Sequence, residues 1–256
     1  MPKQILDLKI VRKKRLTPDY FILELHSPEK LPEILPGQFA EVLIENSKST
    51  FLRRPLSIHN VDYKENTIKF LIQIVGEGTR SLAYLEEGDF LNTIFPLGNN
   101  FNLIDNKDVL LIGGGCGVAP LLYLAKNFTK NGFIPTILIG VRTKNDILEI
   151  DEYKKYGKVI ITTEDGTYGE KGFVTNHSVF KNNISNYKKI YTCGPEPMIK
   201  AIAKIAKQKS IDCEVSLENM MACGIGACLC CVTDTIHGNV CTCTDGPVFN
   251  LNVLKW

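Results

Sequence analysis

The sequence predicts a multidomain β and α/β protein with an N-terminal antiparallel β-barrel, a doubly wound parallel α/β domain and a small C-terminal cysteine-rich module. Short β-rich runs separated by Pro, Gly and Asn occupy the chain up to about residue 100. Further on, predicted strands alternate with helical segments, which is typical of a parallel sheet. The strands are Val109–Ile112, Thr136–Gly140, Lys158–Thr163 and Lys189–Cys193, and the helical segments lie at 121–130, near 145–156 and 172–180, and at 196–209. Cysteines cluster near the C-terminus. We expect domains at residues 1–100, 101–212 and 213–256.

Composition narrows the class of protein. The chain has 256 residues, 44% hydrophobic and 23% charged, as in soluble globular proteins. A net charge of +2 favours neither a nucleic acid nor a membrane surface as partner. The first residues lack the apolar core of a secretory signal, and no run is long enough to span a membrane. Nine cysteines without such a signal indicate the cytoplasm, where clustered cysteines more often bind metal.

Two features of the predicted barrel carry possible chemistry. The run Arg53-Arg54-Pro55-Leu56-Ser57 places an arginine and a serine at a strand start. The turn Gly76-Glu77-Gly78-Thr79 enters a predicted helix, and the free amides at the helix start form a binding site for phosphate. Taken alone, each is more often a solvated strand edge or an ordinary turn.

Glycine turns mark the α/β domain. The apolar strand Val109–Ile112 is followed by the run Gly113–Pro120 and then by a helical segment. A dinucleotide pyrophosphate would lie on the helix N-terminus there, and a second turn at Cys193–Met198 repeats the arrangement. The residues that we expect to bind NAD are Gly113, Gly114, Gly115, Gly117, Cys193, Gly194 and Pro195.

The second predicted strand of this domain ends without an acidic residue to hold a ribose hydroxyl. Arg142 stands there instead, so the choice between NADH and NADPH stays open. Cys116 and Cys193 occupy the two turns singly and need not be nucleophiles. The four histidines are scattered, and we expect each to be an ordinary surface or loop residue. The sequence therefore predicts no catalytic residue.

The stretch from Met221 to Cys243 has the spacing of a [2Fe–2S] site. Cys223, Cys228 and Cys231 stand at C-x4-C-x2-C, the plant-type pattern, with further cysteines a short way downstream. Glycines between the first two cysteines let the loop turn and let its amides approach a cluster. As fourth ligand we prefer Cys243, because it opens a turn-rich tail that could fold back over the loop.

Other uses of these cysteines are weaker fits. A structural zinc site usually shows two C-x2-C pairs or a pair with histidines, and a disulfide framework suits a short secreted domain. The cysteines at 228, 230 and 231 are also too crowded for easy disulfide pairing. Cys230 and Cys241 remain open as substitute ligands.

In combination these motifs resemble the ferredoxin reductase superfamily. Arg54–Ser57 is similar to its Arg-x-x-Ser flavin motif, Gly78-Thr79 to its flavin pyrophosphate turn, and the two later glycine turns to its nicotinamide half. With the cysteine module appended, the whole chain resembles the electron-transfer subunits of dihydroorotate dehydrogenase B. The most specific parts are MACGIGAC at 221–228 and CTDGPVF at 243–249.

The resemblance implies FAD, a [2Fe–2S] cluster and NAD as substrate. It also implies a partner subunit that carries FMN and oxidises dihydroorotate to orotate in de novo pyrimidine biosynthesis, in a heterotetramer with two copies of each chain. Electrons would pass from the partner's FMN through the cluster and FAD to NAD⁺. The implied FAD residues are Arg54, Pro55, Leu56, Ser57, Leu71, Ile72, Gln73, Gly78 and Thr79, and the implied iron ligands are Cys223, Cys228, Cys231 and Cys243.

Two other functions compete with this interpretation. One is the flavin and iron–sulfur subunit of a NADH-dependent ferredoxin:NADP oxidoreductase or sulfide dehydrogenase, in which we expect an acidic residue at the first ligand instead of Cys223. The more distant one is a non-redox regulatory protein with a structural zinc. No acid–base group for a small organic substrate is visible, which places the substrate chemistry on another chain.

Overall fold

The β-rich first part of the chain forms seven strands and one helix in the computed structural model, which describes residues 3–45, 47 and 49–256. They are β1 (Gln4–Thr17), β2 (Tyr20–His26), β3 (Phe39–Val42), β4 (Arg54–Ser57), β5 (Asn60–Asp62), β6 (Thr67–Gln73), α1 (Glu77–Tyr84) and β7 (Phe90–Leu97). All neighbouring strands are antiparallel, in the order β4-β3-β7-β1-β2-β6-β5.

This first sheet curls on itself. Its two edge strands, β4 and β5, are consecutive in the chain, with only Ile58 and His59 between them. Such a short link requires the two edges of the sheet to lie close together. The enclosed face is apolar and includes the fully buried Leu8, Phe70 and Phe95. The predicted antiparallel barrel is thus confirmed.

The second part of the chain contains nine strands. Seven of them form one sheet with helices, and the other two form a separate hairpin. The elements of this part are β8 (Val109–Gly114), α2 (Ala119–Lys130), β9 (Thr136–Val141), α3 (Ile150–Lys154), β10 (Lys158–Thr163), β11 (Glu170–Lys171), α4 (Ser178–Asn182), β12 (Lys189–Cys193), α5 (Glu196–Lys209), β13 (Asp212–Ser216), β14 (Val232–Thr235), β15 (Gly238–Cys241) and β16 (Val248–Asn250). The sheet order is β11-β10-β9-β8-β12-β13-β16, parallel except for the last pair.

Helices cover both faces of this sheet. On β8, Val109 and Leu111 pack with the apolar side of α2, whereas Leu110 and Ile112 pack with that of α5. Alternate residues of a strand point to opposite faces, so a central strand between two helical layers is apolar throughout. The predicted doubly wound parallel sheet is confirmed.

The cysteine segment is an excursion between two strands of the same sheet. β13 extends the parallel order, and the chain returns as β16 to pair antiparallel with it. Between them lie an irregular loop and the hairpin of β14 and β15. The division into three domains stays a prediction, with β13 and β16 attaching the third to the second. None of the described residues form a helix long and apolar enough to cross a membrane.

Helix α2 joins the barrel to the α/β domain through buried polar contacts. His59, with 0% of its surface exposed, follows β4 and places Nδ1 2.7 Å from the Ala119 carbonyl oxygen and Nε2 3.0 Å from Glu149 Oε2. The Lys126 ammonium donates to the Val61 carbonyl at 2.8 Å. His59 and His177 thus lie in connecting segments, as the sequence predicts for a loop histidine, but both are buried rather than on the surface. A residue that is buried where the barrel meets a helix produces no periodic pattern in the sequence, so its burial could not be predicted.

Candidate functional site

Two glycine turns meet at the carboxyl ends of the neighbouring strands β8 and β12. A single 3₁₀ turn over Gly115–Val118 leads from β8 into α2, and Gly194 with Pro195 leads from β12 into α5. A Cβ on Gly117 would lie 2.4 Å from the Gly194 Cα, and Gly194 itself has φ of +148°. Only glycine suits both positions, because the two backbones touch.

These turns form the floor of a cleft of about 500 Å³, which is within the size range of ligand pockets. Its lining includes Tyr20, Gln73, Gly114, Gly115, Cys116, Gly117, Gly140, Arg142, Asp146, Glu164, Gly194, Pro195 and Glu218. Of the predicted NAD residues, Gly113 and Cys193 lie beneath the lining rather than in it. A Cβ on Gly113 would be 2.7 Å from Val118 Cγ1, and Cys193 is fully buried. Those two residues shape the turns from below.

The two thiols at the cleft are not poised as nucleophiles. Burial raises the pKa of the Cys116 thiol to about 12, and the nearby Glu218 carboxyl adds to the effect. Burial also raises the pKa of the Cys193 thiol well above its usual value. Thiols act as nucleophiles in their ionised form, which the raised pKa values disfavour here. Both residues therefore act as small side chains that fill space at the cleft. Burial likewise raises the pKa of Glu218.

The flavin-like motif lies on β4, next to the start of α1. A Cβ on Gly78 would be 3.0 Å from Arg54 Nε, so the arginine and the helix N-terminus converge. Thr79 Oγ1 accepts hydrogen bonds from the Val75 and Gly76 amides at 2.9 and 3.1 Å, which fixes the entry to the helix. A guanidinium beside a helix N-terminus suits a phosphate. The residues present therefore fit the pyrophosphate of a flavin dinucleotide.

The end of β6 connects the barrel to the cleft. Leu71 packs toward the α/β domain, Ile72 lies in the barrel core, and Gln73 lines the cleft. Because Ile72 points inward, only its backbone can face a bound group on the outside. The rest of the β4 motif, Pro55, Leu56 and Ser57, is half-buried.

The cysteine loop has an irregular backbone that wraps rather than pairs. Gly224, Gly226 and Leu229 all have positive φ, at 66°, 84° and 56°. A Cβ on Gly224 would lie 2.4 Å from Glu41 Cγ, so this turn is pressed against the barrel. The backbone therefore turns repeatedly within a short span, as the spacing predicted.

The predicted iron ligands lie in this loop and in the segment that follows it. Cys228 is exposed, Cys223 is half-buried, and Cys231 and Cys243 are buried. The Cys243 amide donates to Cys231 Sγ at 3.4 Å, which brings the fourth predicted ligand back to the third. All nine cysteines are free thiols. The two substitutes left open by the sequence differ, since Cys241 is half-buried near Cys231 while Cys230 is exposed.

Loop amides favour an anionic sulfur. Partial burial raises the pKa of the Cys223 thiol, but hydrogen bonds from the Ile225, Cys228 and Ala227 amides outweigh it and lower the pKa to about 6. A lowered pKa favours the thiolate of Cys223, the form that binds metal. Burial raises the pKa of Cys243 to about 12, and a metal bound there would displace its proton. These donors fit an iron–sulfur cluster.

The predicted iron ligands lie next to one another in two pairs, Cys223 with Cys228 and Cys231 with Cys243. Within the described ranges, no three His, Cys, Asp or Glu side chains are placed to hold one metal ion. A [2Fe–2S] cluster divides its four ligands between two irons. Cys231 and Cys243 pack against Phe39 and Leu97 of the barrel, which anchors one such pair on the flavin domain.

A buried acid, which sequence reasoning missed, lies under this loop. Glu41 on β3 has 0% exposure, and both carboxyl oxygens lack a hydrogen-bond partner. Burial raises the pKa of this carboxyl to about 7, with Cys223 adding to the shift while Arg53 and Arg54 oppose it. An acid in a short β-rich run predicts solvent exposure, so only the tertiary structure reveals it.

Comparison with protein families agrees with this geometry. Residues 218–255 match the iron–sulfur cluster binding domain of dihydroorotate dehydrogenase B, and residues 111–204 match an oxidoreductase NAD-binding domain. Fold and site thus define a nucleotide-linked oxidoreductase of the ferredoxin reductase type with an added iron–sulfur domain.

Curated relatives narrow the class further. The chain is 38% identical over 245 residues, 94% of each chain, to the dihydroorotate dehydrogenase B (NAD(+)) electron transfer subunit of Caldanaerobacter subterraneus subsp. tengcongensis. It is 40% identical over 221 residues, 84% of each chain, to the subunit of that name from Fusobacterium nucleatum subsp. nucleatum. The chain belongs to the family of dihydroorotate dehydrogenase B electron transfer subunits. The resemblance inferred from the sequence is confirmed.

Solved structures agree on the fold. A structure described as the NADH-dependent reduced ferredoxin-NADP oxidoreductase, from work on flavin-based electron bifurcation, has a TM-score of 0.87 and 29% identity and covers 100% of this chain and 92% of its own. A ferredoxin reductase of carbazole 1,9a-dioxygenase has a TM-score of 0.71 and 22% identity, covering 82% of this chain and 67% of its own, and supports the fold alone.

Proposed function

We propose that this chain transfers electrons from a catalytic partner subunit, through a [2Fe–2S] cluster and FAD, to NAD⁺. The observation that carries the proposal is the adjacency of three sites in one chain. Cys231 and Cys243 pack on Phe39 of β3, β3 pairs with the flavin motif of β4, and Gln73 of the same barrel lines the dinucleotide cleft. The cysteine loop, the flavin motif and the dinucleotide cleft thus all contact one barrel.

The residues have separate roles in this proposal. Cys223, Cys228, Cys231 and Cys243 hold the cluster, while Arg54–Ser57, Leu71–Gln73, Gly78 and Thr79 hold FAD. Gly114, Gly115, Gly117, Gly194 and Pro195 bind NAD directly, with Gly113 and Cys193 supporting the turns. FAD, when bound, exchanges electrons in pairs with the nicotinamide and singly with a one-electron cluster. The protein contributes the positions of the three groups and a cleft whose thiols stay protonated.

Dihydroorotate oxidation belongs to the partner. The overall reaction, dihydroorotate plus NAD⁺ giving orotate, NADH and a proton, balances with two electrons passing through this chain. The partner is proposed to carry FMN, with two copies of each chain in the complex and a place in de novo pyrimidine biosynthesis. Free thiols throughout the chain support a reducing compartment, the cytoplasm.

The charges of the cleft support NAD over NADP. Arg142 is accompanied there by the carboxyl groups of Asp146 and Glu164. A 2′-phosphate would place further negative charge near these groups, whereas the 2′-hydroxyl of NAD would not.

A NADH-dependent ferredoxin:NADP oxidoreductase subunit is the second candidate, because a structure of that name superimposes over the full chain. Cys223, which stands at the first ligand position, favours the dihydroorotate system. The iron–sulfur family match likewise favours a cluster over a structural zinc.

The deciding experiment is anaerobic NAD⁺ reduction by dihydroorotate, with the FMN subunit from the same organism present or absent. Activity only when both chains are present supports the proposal. No coupled activity from a chain that still contains iron and flavin, and whose flavin NADH reduces, would move the function to the ferredoxin or sulfide systems.

A further inference from the structure

Glu41 faces the cysteine loop rather than the barrel interior. Its strand neighbours Ala40 and Val42 lie in the barrel core, while Phe39 packs against the buried cysteines. Alternate residues of a strand share a face, so Glu41 projects on the same side as Phe39. The carboxyl group is therefore enclosed between the barrel wall and the loop.

The loop covers Glu41 at Gly224. A Cβ built on Gly224 would lie 2.4 Å from Glu41 Cγ and 2.9 Å from Oε1, and Cys223 is the adjacent residue. Neither carboxyl oxygen has a hydrogen-bond partner among the described residues, although the side chain is completely buried. Buried polar atoms are nearly always paired, and a redox role is one of the recognised reasons for an exception.

Nearby arginines do not neutralise this acid by contact. The Arg53 guanidinium donates to the Glu41 carbonyl at 3.2 Å and to the Asn92 carbonyl at 3.1 Å, so its hydrogen bonds go to other oxygens. Arg54 donates to the Leu52 carbonyl at 2.9 Å. Both arginines favour the ionised form from the neighbouring strand, yet the described residues contain no ion pair to this carboxylate. The arginines reduce but do not cancel the field of this carboxylate, which therefore reaches the loop that covers it.

We propose that Glu41 is a positioning residue that lowers the midpoint potential of the group held by the cysteine loop. The inference rests on the proposed function, since it requires a cluster at Cys223. Adding an electron beside a fixed, desolvated negative charge is unfavourable, so the oxidised state is stabilised relative to the reduced one. A cluster kept at low potential passes electrons on toward NAD⁺ instead of retaining them.

The test compares two substitutions that each remove one negative charge from the barrel. Glu41→Gln keeps the shape of the buried side chain, and Glu65→Gln changes an exposed residue in the turn before β6. Full-length chain with its iron and flavin is titrated with redox dyes at pH 7, 8 and 9, because burial raises the pKa of the Glu41 carboxyl and its ionised fraction grows as the pH rises. Electron paramagnetic resonance reports the cluster potential, visible absorption the flavin potential, and iron analysis the loading.

We expect Glu41→Gln to raise the cluster potential, to shift the flavin potential less, and to retain iron. Glu65→Gln should leave both potentials at the wild-type values. An unchanged cluster potential in Glu41→Gln, or an equal shift in Glu65→Gln, overturns the inference. If Glu41→Gln loses its iron, Glu41→Asp is measured instead. Aspartate keeps the charge but withdraws it from the loop, so a smaller upward shift is expected and no shift overturns the inference. Wild-type protein without a cluster signal would contradict the proposed function instead.

Discussion

The dinucleotide cleft and the cysteine loop are constructed in opposite ways. In the cleft, the parallel strands β8 and β12 bring two backbone turns into contact, with Gly117 and Gly194 leaving no room for a side chain. The loop has no regular pairing between Leu217 and Cys231 and depends on thiols, two of which are already buried against the barrel. The backbone of the sheet forms the cleft. The loop, by contrast, forms a binding site only through the sulfur atoms of its cysteines.

The largest effect should come from removing a sulfur. We expect Cys228→Ser to lower coupled dihydroorotate-to-NAD⁺ turnover by at least roughly 100-fold, since even the loss of a residue that supports a metal ligand reaches that range. Reduction of a dye by NADH should survive, because the cleft and the flavin site do not contain Cys228. Iron analysis and both assays on one preparation check this. Unchanged coupled turnover would contradict the ligand assignment.

A substitution in the cleft should give the reverse pattern. A Cβ on Gly117 would lie 2.4 Å from the Gly194 Cα and 2.5 Å from the Cys193 carbonyl. Gly117→Ala should therefore destabilise the fold by roughly 1–3 kcal/mol, as overpacking does, and raise the KM for NADH while iron stays bound.

Gly132→Ala is the matched control for this change. It also replaces a glycine of the α/β domain, but it lies after α2, outside the cleft lining, and has open space for a Cβ, so only its positive φ of 84° carries a cost, about 1 kcal/mol. Thermal unfolding and NADH-dependent dye reduction measure both variants. An equal KM for the two would contradict the close contact between the turns.

The contact between Glu149 and His59, where the barrel meets the α/β domain, should contribute to the free energy of unfolding in a pH-dependent way. Partial burial raises the pKa of the Glu149 carboxyl, but the hydrogen bond and charge of His59, together with Lys14, outweigh it and hold the pKa below its usual value of 4.5. Such a group stabilises the fold above the unfolded-state pKa and loses that contribution as pH falls through the lower folded-state pKa.

Glu149→Gln should therefore cost about 2 kcal/mol at pH 7, the scale of a hydrogen bond to a charged group. Its unfolding curve should converge on that of wild type as the pH falls below 4.5. Denaturant unfolding at pH 7 and below pH 4 measures the difference. A constant difference across that range would contradict the ion pair. Asp151→Asn, which changes an exposed acid of α3, should show neither effect.

The smallest effect distinguishes the two downstream cysteines. Cys241→Ser should change stability by no more than about 0.5 kcal/mol and leave the iron content intact. Cys243→Ser, which alters the buried thiol next to Cys231, should lose iron. Iron analysis and visible absorption of the two variants decide between them, and the opposite outcome would reassign the fourth ligand to Cys241.

Regular elements were predictable because their period is local. The strands Lys158–Thr163 and Lys189–Cys193 and the helix Glu196–Lys209 have the bounds that the sequence predicts. Their apolar residues recur at the spacing of the element, and glycine or proline marks their ends. The motif residues were predictable for a similar reason, since glycine runs and cysteine spacings are properties of short segments.

Features set by distant contacts could not be read in this way. The helices expected near residues 145–156 and 172–180 are reduced to Ile150–Lys154 and Ser178–Asn182. Glu149, with φ of 46°, delays the first of them because its side chain is held by His59 of the barrel. The buried Glu41 and His59 likewise owe their positions to contacts between the barrel and later segments.

The pairing of β13 with β16 has a consequence for the architecture of the chain. Ser216 lies opposite Val248, and the Leu217 amide bonds to the Pro247 carbonyl at 2.9 Å, so the excursion leaves and re-enters the sheet at one point. A hairpin turn of about two to five residues would bridge that point. The cysteine segment is thus an insertion between two paired strands. A reductase without this insertion would need only a short turn to keep its sheet intact.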